Sequence, residues 1–162
     1  MKRFTAITLL VLLTLLATIG TALAAESTTV FRTGLSGEPA GSGSDAHGNA
    51  VFKFKDDSSQ MKYKLVVNGL DNVTMAHIHV AAEPGGDGPP VLWLYPDAPP
   101  PSQIEGTFNG LLGSRTVTSA ELTGAAGITS LTELRAAIEQ GRAYVNVHTT
   151  AFPPGEIRGT IH

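Results

Sequence analysis

The chain has 162 residues, a formal charge of −3 and no cysteine. This length suits one domain that buries about two-thirds of its unfolded surface, and the lack of cysteine excludes disulfides and a lipoprotein anchor attached through cysteine. No run of basic residues appears, which argues against binding to nucleic acid and to anionic membrane surfaces, since both depend on clustered Lys and Arg.

Residues 1–24 have the pattern of a secretory signal peptide, with Lys2 and Arg3 before an apolar run and small residues at the cleavage site. The run is shorter than the about 20 residues of a comfortable membrane span. An uncleaved N-terminal anchor is the alternative. We expect cleavage near Ala24, a secreted or periplasmic location and a single mature β domain of residues 25–162 without a stable membrane span. That part has 9 basic and 14 acidic residues.

The first half of the mature chain is predicted to form short strands joined by turns. Residues 28–35 alternate as one strand, and the Gly/Ser-rich residues 36–47 are typical of a loop. Residues 49–55 and 61–68 form the clearest predicted hairpin, whose outward lysines are interpreted as a solvated face that discourages edge pairing. A turn is predicted at 68–72, where Asn-Gly and Asp-Asn occur.

Two later strand-like segments place three histidines where one metal ion could collect them. In a strand, side chains at i and i+2 lie on one face, so His77 and His79 share a face opposite to their apolar neighbours. The same alternation puts His148 with Tyr144 and Asn146. Neutral imidazole is a common ligand for zinc and copper. The alternative is that these histidines are polar or hydrogen-bonding groups on a sheet surface.

The rest of the chain continues the pattern of short strands. Segments 91–95 and 104–109 are predicted strands, and the structure of 111–129 is left open because its periodicity is weak. Residues 130–140 are predicted as a short helix, because a Ser-Leu-Thr-Glu capping box precedes an apolar stripe and Gly141 follows it.

The predicted strands end with residues 142–148 and 155–161. In the last of these, Glu156 and Arg158 are interpreted as a structural ion pair, with the loop after His148 as a further partner. Strands at this spacing, with one helix in a connection, predict an all-β antiparallel Greek-key sandwich or flattened barrel. Its buried face is predicted to contain Phe52, Phe54, Tyr63, Leu65, Val67, Val145, Val147 and Ile157.

Four segments carry a resemblance to a known family: Ala-His-Ile-His at 76–79, Gly-Pro-Pro-Val at 88–91, Gly-Arg-Ala-Tyr-Val-Asn-Val-His-Thr at 141–149, and Pro-Gly-Glu-Ile-Arg-Gly at 154–159. Together they resemble the chordin-type (CHRD) domain family from about residue 29 to residue 161. The resemblance implies an extracytoplasmic all-β domain without an established enzymatic activity. In the animal protein that names the family, such domains accompany modules that bind secreted growth factors.

A weaker resemblance is to the copper/zinc superoxide dismutase barrel. It implies that His77 and His79 match the first pair of copper ligands and that His148 matches the last. The bridging ligand, the zinc ligands and the disulfide cysteines of that family have no counterpart, because residues 81–142 contain no histidine. The resemblance therefore implies a barrel and a three-histidine copper site, and it does not imply dismutase activity.

These observations favour an exported, non-enzymatic binding or structural module whose partner is an unidentified extracytoplasmic protein or ligand and not nucleic acid. No residue pattern predicts a catalytic group. The alternative is a protein that binds one copper or zinc ion through His77, His79 and His148, with possible redox activity.

Overall fold

The structure is a computed structural model and describes residues 27–162. The predicted signal peptide and its cleavage site near Ala24 lie outside the described residues. Within residues 27–162, no helix combines the length and the apolar character needed to cross a membrane.

Antiparallel strands dominate the described residues, as the alternating sequence predicts. Their bounds are β1 Thr28–Ser36, β2 His47–Lys55, β3 Met61–Val80, β4 Pro90–Tyr95, β5 Ile104–Val117, β6 Ala143–Thr149 and β7 Ile157–Thr160. The helices are α1 (Gly37–Ala40) and α2 (Leu131–Glu139), and 3₁₀ turns form at Ser119–Glu121 and Ala125–Gly127.

The sheet closes on itself through β3. Hydrogen-bonded neighbours follow the order β2-β1-β7-β6-β3, and β3 also pairs with β2, so the path returns to its start. β4 and β5 pair with β3 as well, outside this ring. The prediction of an all-β antiparallel fold is confirmed, in its barrel-like form.

β3 is a single strand of 20 residues, so the turn predicted at 68–72 is wrong. Gly69 and Asn72 take left-handed backbone angles, with φ of +74° and +52°. Both lie where the register with β5 shifts, which is the signature of bulges that bend a strand without ending it. The bend lets the first half of β3 pair with β2 and the second half pair with β6.

The interior is built from the alternating apolar residues of the strands. All eight residues predicted to be buried are at most 1% exposed. α2 begins with the predicted capping box: the Ser130 hydroxyl accepts from the Glu133 amide, and the Glu133 carboxylate accepts from the Ser130 amide. Its apolar stripe, Leu131, Leu134 and Ile138, packs into the same core.

Two connections differ from the sequence-based expectation. The predicted loop at 36–47 contains α1. Just after α1, the Ser42 hydroxyl donates a hydrogen bond of 2.6 Å to the Glu156 carbonyl and holds the end of the helix in place. The segment left open at 111–129 continues β5 to Val117 and then forms the two 3₁₀ turns. The glycines of β5 interrupt its apolar alternation, so the sequence did not indicate that the strand continues to Val117.

Candidate metal centre

The pairing of β3 with β6 brings the three predicted histidines together. In this register His77 lies opposite Asn146, His79 opposite Tyr144, and His148 opposite the residue two before His77. The three side chains therefore share one face of the two strands. All three are buried, with exposures of 3%, 8% and 5% for His77, His79 and His148. The three histidines are therefore not exposed surface groups, whereas the alternative of a hydrogen-bonding role stays open, since each has a hydrogen-bond contact.

The three rings converge closely enough for one ion. One ring nitrogen of each histidine lies within 4.8 Å of the others, and His77 Nδ1 is 3.3 Å from His148 Nε2. Metal–imidazole bonds of about 2.0–2.1 Å place two nitrogens of a tetrahedral site about 3.3 Å apart. The His77–His148 separation has this value.

Backbone carbonyls orient two of the imidazoles. His79 Nδ1 lies 2.9 Å from the Gly88 carbonyl, and His148 Nδ1 lies 2.8 Å from the Pro153 carbonyl. A carbonyl oxygen can only accept, so both Nδ1 atoms carry the proton and both Nε2 atoms carry a lone pair. Metal-binding histidines are held in this way in proteins, with one ring nitrogen donating to a carbonyl and the other free to bind.

Two ring nitrogens of the cluster lack any hydrogen-bond partner. His77 Nε2 and His79 Nε2 are both buried and unbonded within the described residues. Leaving a buried polar atom unsatisfied costs about 1–3 kcal/mol, and native proteins rarely tolerate it without a reason. A cation bound at His79 Nε2 would satisfy one of these atoms directly.

The surroundings hold the imidazoles in the neutral form that binds metal. Burial lowers the pKa of His77 to about 3, with smaller contributions from His148 and His79. Burial also lowers the pKa of His79 to about 4, against the opposing effect of the Gly88 carbonyl. The pKa of His148 is lowered by burial as well, and the Pro153 carbonyl opposes that shift. A metal therefore meets little competition from protons at neutral pH.

Aromatic rings enclose the cluster on two sides. The Trp93 ring meets the His77 ring at 88° with 4.2 Å between centroids, and the Tyr144 ring stacks on His79 at 5.0 Å and 12°. Trp93 and Asn146 are the two register neighbours of His77 on β4 and β6. The packing restricts rotation of the imidazoles and thus preserves their convergence.

A cavity of about 300 Å³ opens beside the cluster. His79 lines it together with Tyr144, Asn146, Arg158 and Gly88. The Asn146 amide donates to the Pro154 carbonyl over 2.8 Å, whereas its Oδ1 is buried without a partner. The cavity is therefore lined by polar groups and borders one of the three imidazoles.

The connection between β3 and β4 is fastened over this cavity. The Gly88 amide donates to the Tyr144 hydroxyl over 3.1 Å. Arg158 stacks over the Tyr144 ring at 3.5 Å and bonds both the Asp87 carboxylate and the Gly86 carbonyl. The loop that supplies the carbonyl for His79 is thus held to β6 and β7.

The ion pair predicted between Glu156 and Arg158 is wrong. Arg158 pairs with Asp87, and the buried Glu156 carboxylate accepts from the hydroxyls of Ser44 and Thr149, each over 2.7 Å. The two side chains have different neighbours because Glu156 precedes β7 and is turned toward the segment after α1.

Gly88 has no room for a side chain. A Cβ at this position would lie 1.9 Å from the Val80 carbonyl oxygen, which is backbone and cannot move aside. Only glycine lets the loop approach β3 closely enough for its carbonyl to reach His79. Gly88, Pro153 and Trp93 were not predicted from the sequence as parts of the site. Their signal, Gly and Pro in loops next to histidine strands, is too common to identify them.

Comparison with known protein families gives a match to the CHRD domain. The family model for the CHRD domain matches residues 31–161. Neither the curated proteins nor the solved structures include a match to the chain. The weaker similarity to copper/zinc superoxide dismutases finds no support in these comparisons and stays an expectation. Because the model covers most of the sequence, the chain belongs to the CHRD domain family.

Proposed function

We propose that the protein is an exported, non-enzymatic CHRD module that binds one Cu(II) or Zn(II) ion through His77, His79 and His148. Membership in the CHRD family, a family of extracellular-type domains, supports a binding or structural role outside the cytoplasm. One observation carries the metal proposal: three buried, neutral imidazoles converge, and His79 Nε2 has no other partner.

The donor set favours copper over zinc and disfavours hard cations. Imidazole suits Cu, Zn, Fe and Ni, whereas Mg²⁺ and Ca²⁺ require oxygen ligands. For a site with only nitrogen donors, Cu(II) has the highest affinity among the divalent first-row ions. Zinc remains the second candidate, because four-coordinate zinc also accepts three imidazoles.

Three protein ligands leave a fourth position for water or an external ligand. A structural zinc site fills all four positions with side chains, whereas an open position permits ligand exchange. The cavity lined by His79 and Arg158 offers the space for that exchange. We therefore assign the module to reversible binding or transfer of a metal, with the ion accessible from the cavity.

Calorimetric titration of chelator-treated protein with Cu(II) and Zn(II) tests the proposal. We expect one ion per chain and, for Cu(II), an electron paramagnetic resonance spectrum with hyperfine splitting from nitrogen ligands. His79→Gln should weaken metal binding at least about 100-fold. Loss of a group that only hydrogen-bonds a metal ligand already lowers affinity about 10–100-fold, and this substitution removes the ligand itself. His47→Gln is the matched control, since His47 is exposed and outside the cluster.

Folding of the variants is checked by circular dichroism, and His148→Gln provides a second ligand variant if His79→Gln does not fold. The bound ion should raise the free energy of unfolding by about 2.7 kcal/mol at 100 times its Kd. Absence of binding at micromolar metal contradicts the proposal. Equal binding by the wild type and both ligand variants also contradicts it.

A further inference from the structure

Strand pairing gathers all the lysines of the described residues on one outer face of the barrel. Lys53 and Lys55 lie on β2, and Lys62 and Lys64 lie on β3. Arg32 on β1 joins them. The sequence contains no basic run, and the concentration of charge appears only because β1, β2 and β3 are neighbours in the sheet.

The register makes this face a compact grid of charge. Lys53 lies directly opposite Lys62, and in the adjacent row Val51 lies between Arg32 and Lys64. Residues two apart on a strand are about 7 Å apart, and directly opposed side chains are closer. Like charges placed directly opposite each other destabilise a sheet, so the Lys53–Lys62 pair calls for a compensating interaction.

The described residues do not provide that interaction. Three arginines elsewhere pair with carboxylates: Arg115 with Asp97, Arg135 with Glu139 and Arg158 with Asp87. Within residues 27–162, no carboxylate lies in salt-bridge range of Arg32, Lys53, Lys62 or Lys64. In a chain that is acidic overall, these four cations without a carboxylate partner give their part of the face a positive local potential.

Two adjoining grooves run through these side chains. One has a volume of about 580 Å³ and contains Arg32, Lys64, Val51 and Leu111. The other has a volume of about 240 Å³ and contains Lys55. Both are lined by Lys53 and Lys62, so the two grooves adjoin at this lysine pair. Leu111 is 53% exposed and adds an apolar contact at its edge.

We propose that these two adjoining grooves, named together the cationic groove and lined by Arg32, Lys53, Lys55, Lys62 and Lys64, bind a linear polyanionic glycan. A concave path lined by repeated positive charges complements an extended chain with repeated negative charges. Apolar side chains such as Leu111 and Val51 can contact the C–H faces of sugar rings.

Other polyanions fit the groove less well. Single-stranded nucleic acid binds to exposed aromatic platforms, and the aromatic residue in this groove, Tyr63, is only 1% exposed. A membrane surface is approached by protruding apolar and aromatic side chains, whereas these lysines line a recess. The groove shares no residue with the histidine cluster, so this inference does not depend on metal binding.

Binding of the purified protein to two glycans tests the inference. Dextran sulfate and polygalacturonate distinguish sulfate from carboxylate as the recognised group, and uncharged dextran is the ligand control. Lys53→Gln/Lys62→Gln should weaken binding about 20-fold or more, taking about fivefold for each contact. Arg135→Gln/Arg142→Gln removes the same charge from outside the groove and should change binding less than about twofold.

A second readout separates the groove from nonspecific attraction. Because Lys53 and Lys62 repel each other, their replacement should leave urea stability unchanged or raise it while binding falls. Binding should weaken between about 50 mM and about 200 mM salt, as it does when bound cations are released from a polyanion.

Binding to either charged glycan that depends on Lys53 and Lys62, with or without chelator, supports the inference. Equal losses in the two double variants would show an effect of net charge alone and overturn it. Failure to bind both charged glycans would overturn it too, as would tighter binding to single-stranded DNA or to phosphatidylglycerol vesicles.

Discussion

Acid should destabilise the metal-free protein well before its carboxylates titrate. Burial lowers the native pKa of His77 to about 3 and of His79 to about 4, from 6.5 in an unfolded chain. Between 6.5 and these values the unfolded chain binds more protons than the native protein, so the free energy of unfolding falls as the pH falls. The stabilisation is complete above pH 6.5 and is lost progressively toward pH 4 and pH 3.

The size of the loss follows from the two shifts. At about pH 5 an unfolded imidazole is almost fully protonated, while the native His77 and His79 stay neutral. One pKa unit corresponds to 1.36 kcal/mol, so each residue contributes about 2 kcal/mol of lost stability at that pH. Together they remove about 4 kcal/mol, a large share of the stability of an ordinary domain. His148 changes the free energy in the same direction.

Urea unfolding with excess chelator measures this loss at about pH 8, 6.5 and 5. Trp93 is the single tryptophan and contacts His77, so its fluorescence reports on the site itself. His79→Gln is the comparison variant, and its loss between pH 8 and pH 5 should be about 2 kcal/mol smaller. Equal stability of the wild type at the two pH values would refute the reasoning, as would an undiminished loss in His79→Gln.

Three further predictions concern packing, the site loop and export. Val147→Ala should cost about 1–3 kcal/mol in urea unfolding, because Val147 is fully buried; a cost near zero would contradict its place in the core. Gly88→Ala should lower both stability and metal affinity, since its Cβ would strike a backbone carbonyl, whereas Gly34→Ala, with open space around it, should retain the affinity; equal affinities would show that the Gly88 carbonyl does not position the site. N-terminal sequencing of the exported protein should start at or near Ala25, and a retained initiator methionine would disprove cleavage.

Much of the barrel wall could be predicted from local alternation. Phe52, Tyr63 and Val145 were placed inward by the two-residue period, because apolar residues on alternate positions have only one face to bury. The path of β3 could not be predicted in the same way. Gly69 and Asn72 suit a turn and a bulge equally, and only pairing with β5 and β6 decides between them.

The grouping of the three histidines could be predicted in part, but the groups that orient them could not. The two-residue period of a strand places His77 and His79 on the same face. The approach of His148 depends on the register between β3 and β6, because His148 is 71 residues from His77 in the sequence. The carbonyls of Gly88 and Pro153 leave no mark in the side-chain pattern, because any residue has a carbonyl. Alternation predicts the outward lysines of the hairpin, but the direct opposition of Lys53 and Lys62 and the addition of Arg32 depend on the pairing of β2 with β3 and β1.

The division of the three imidazoles between β3 and β6 has a consequence for the order of events during folding. His77 and His79 are neighbours in any extended chain, whereas His148 joins them only after a long loop has closed, and contacts of this sequence separation form slowly. A nascent chain therefore presents His77 and His79 without His148. On the proposed function, metal capture would follow closure of the barrel, and the ion would come from the compartment in which the barrel closes.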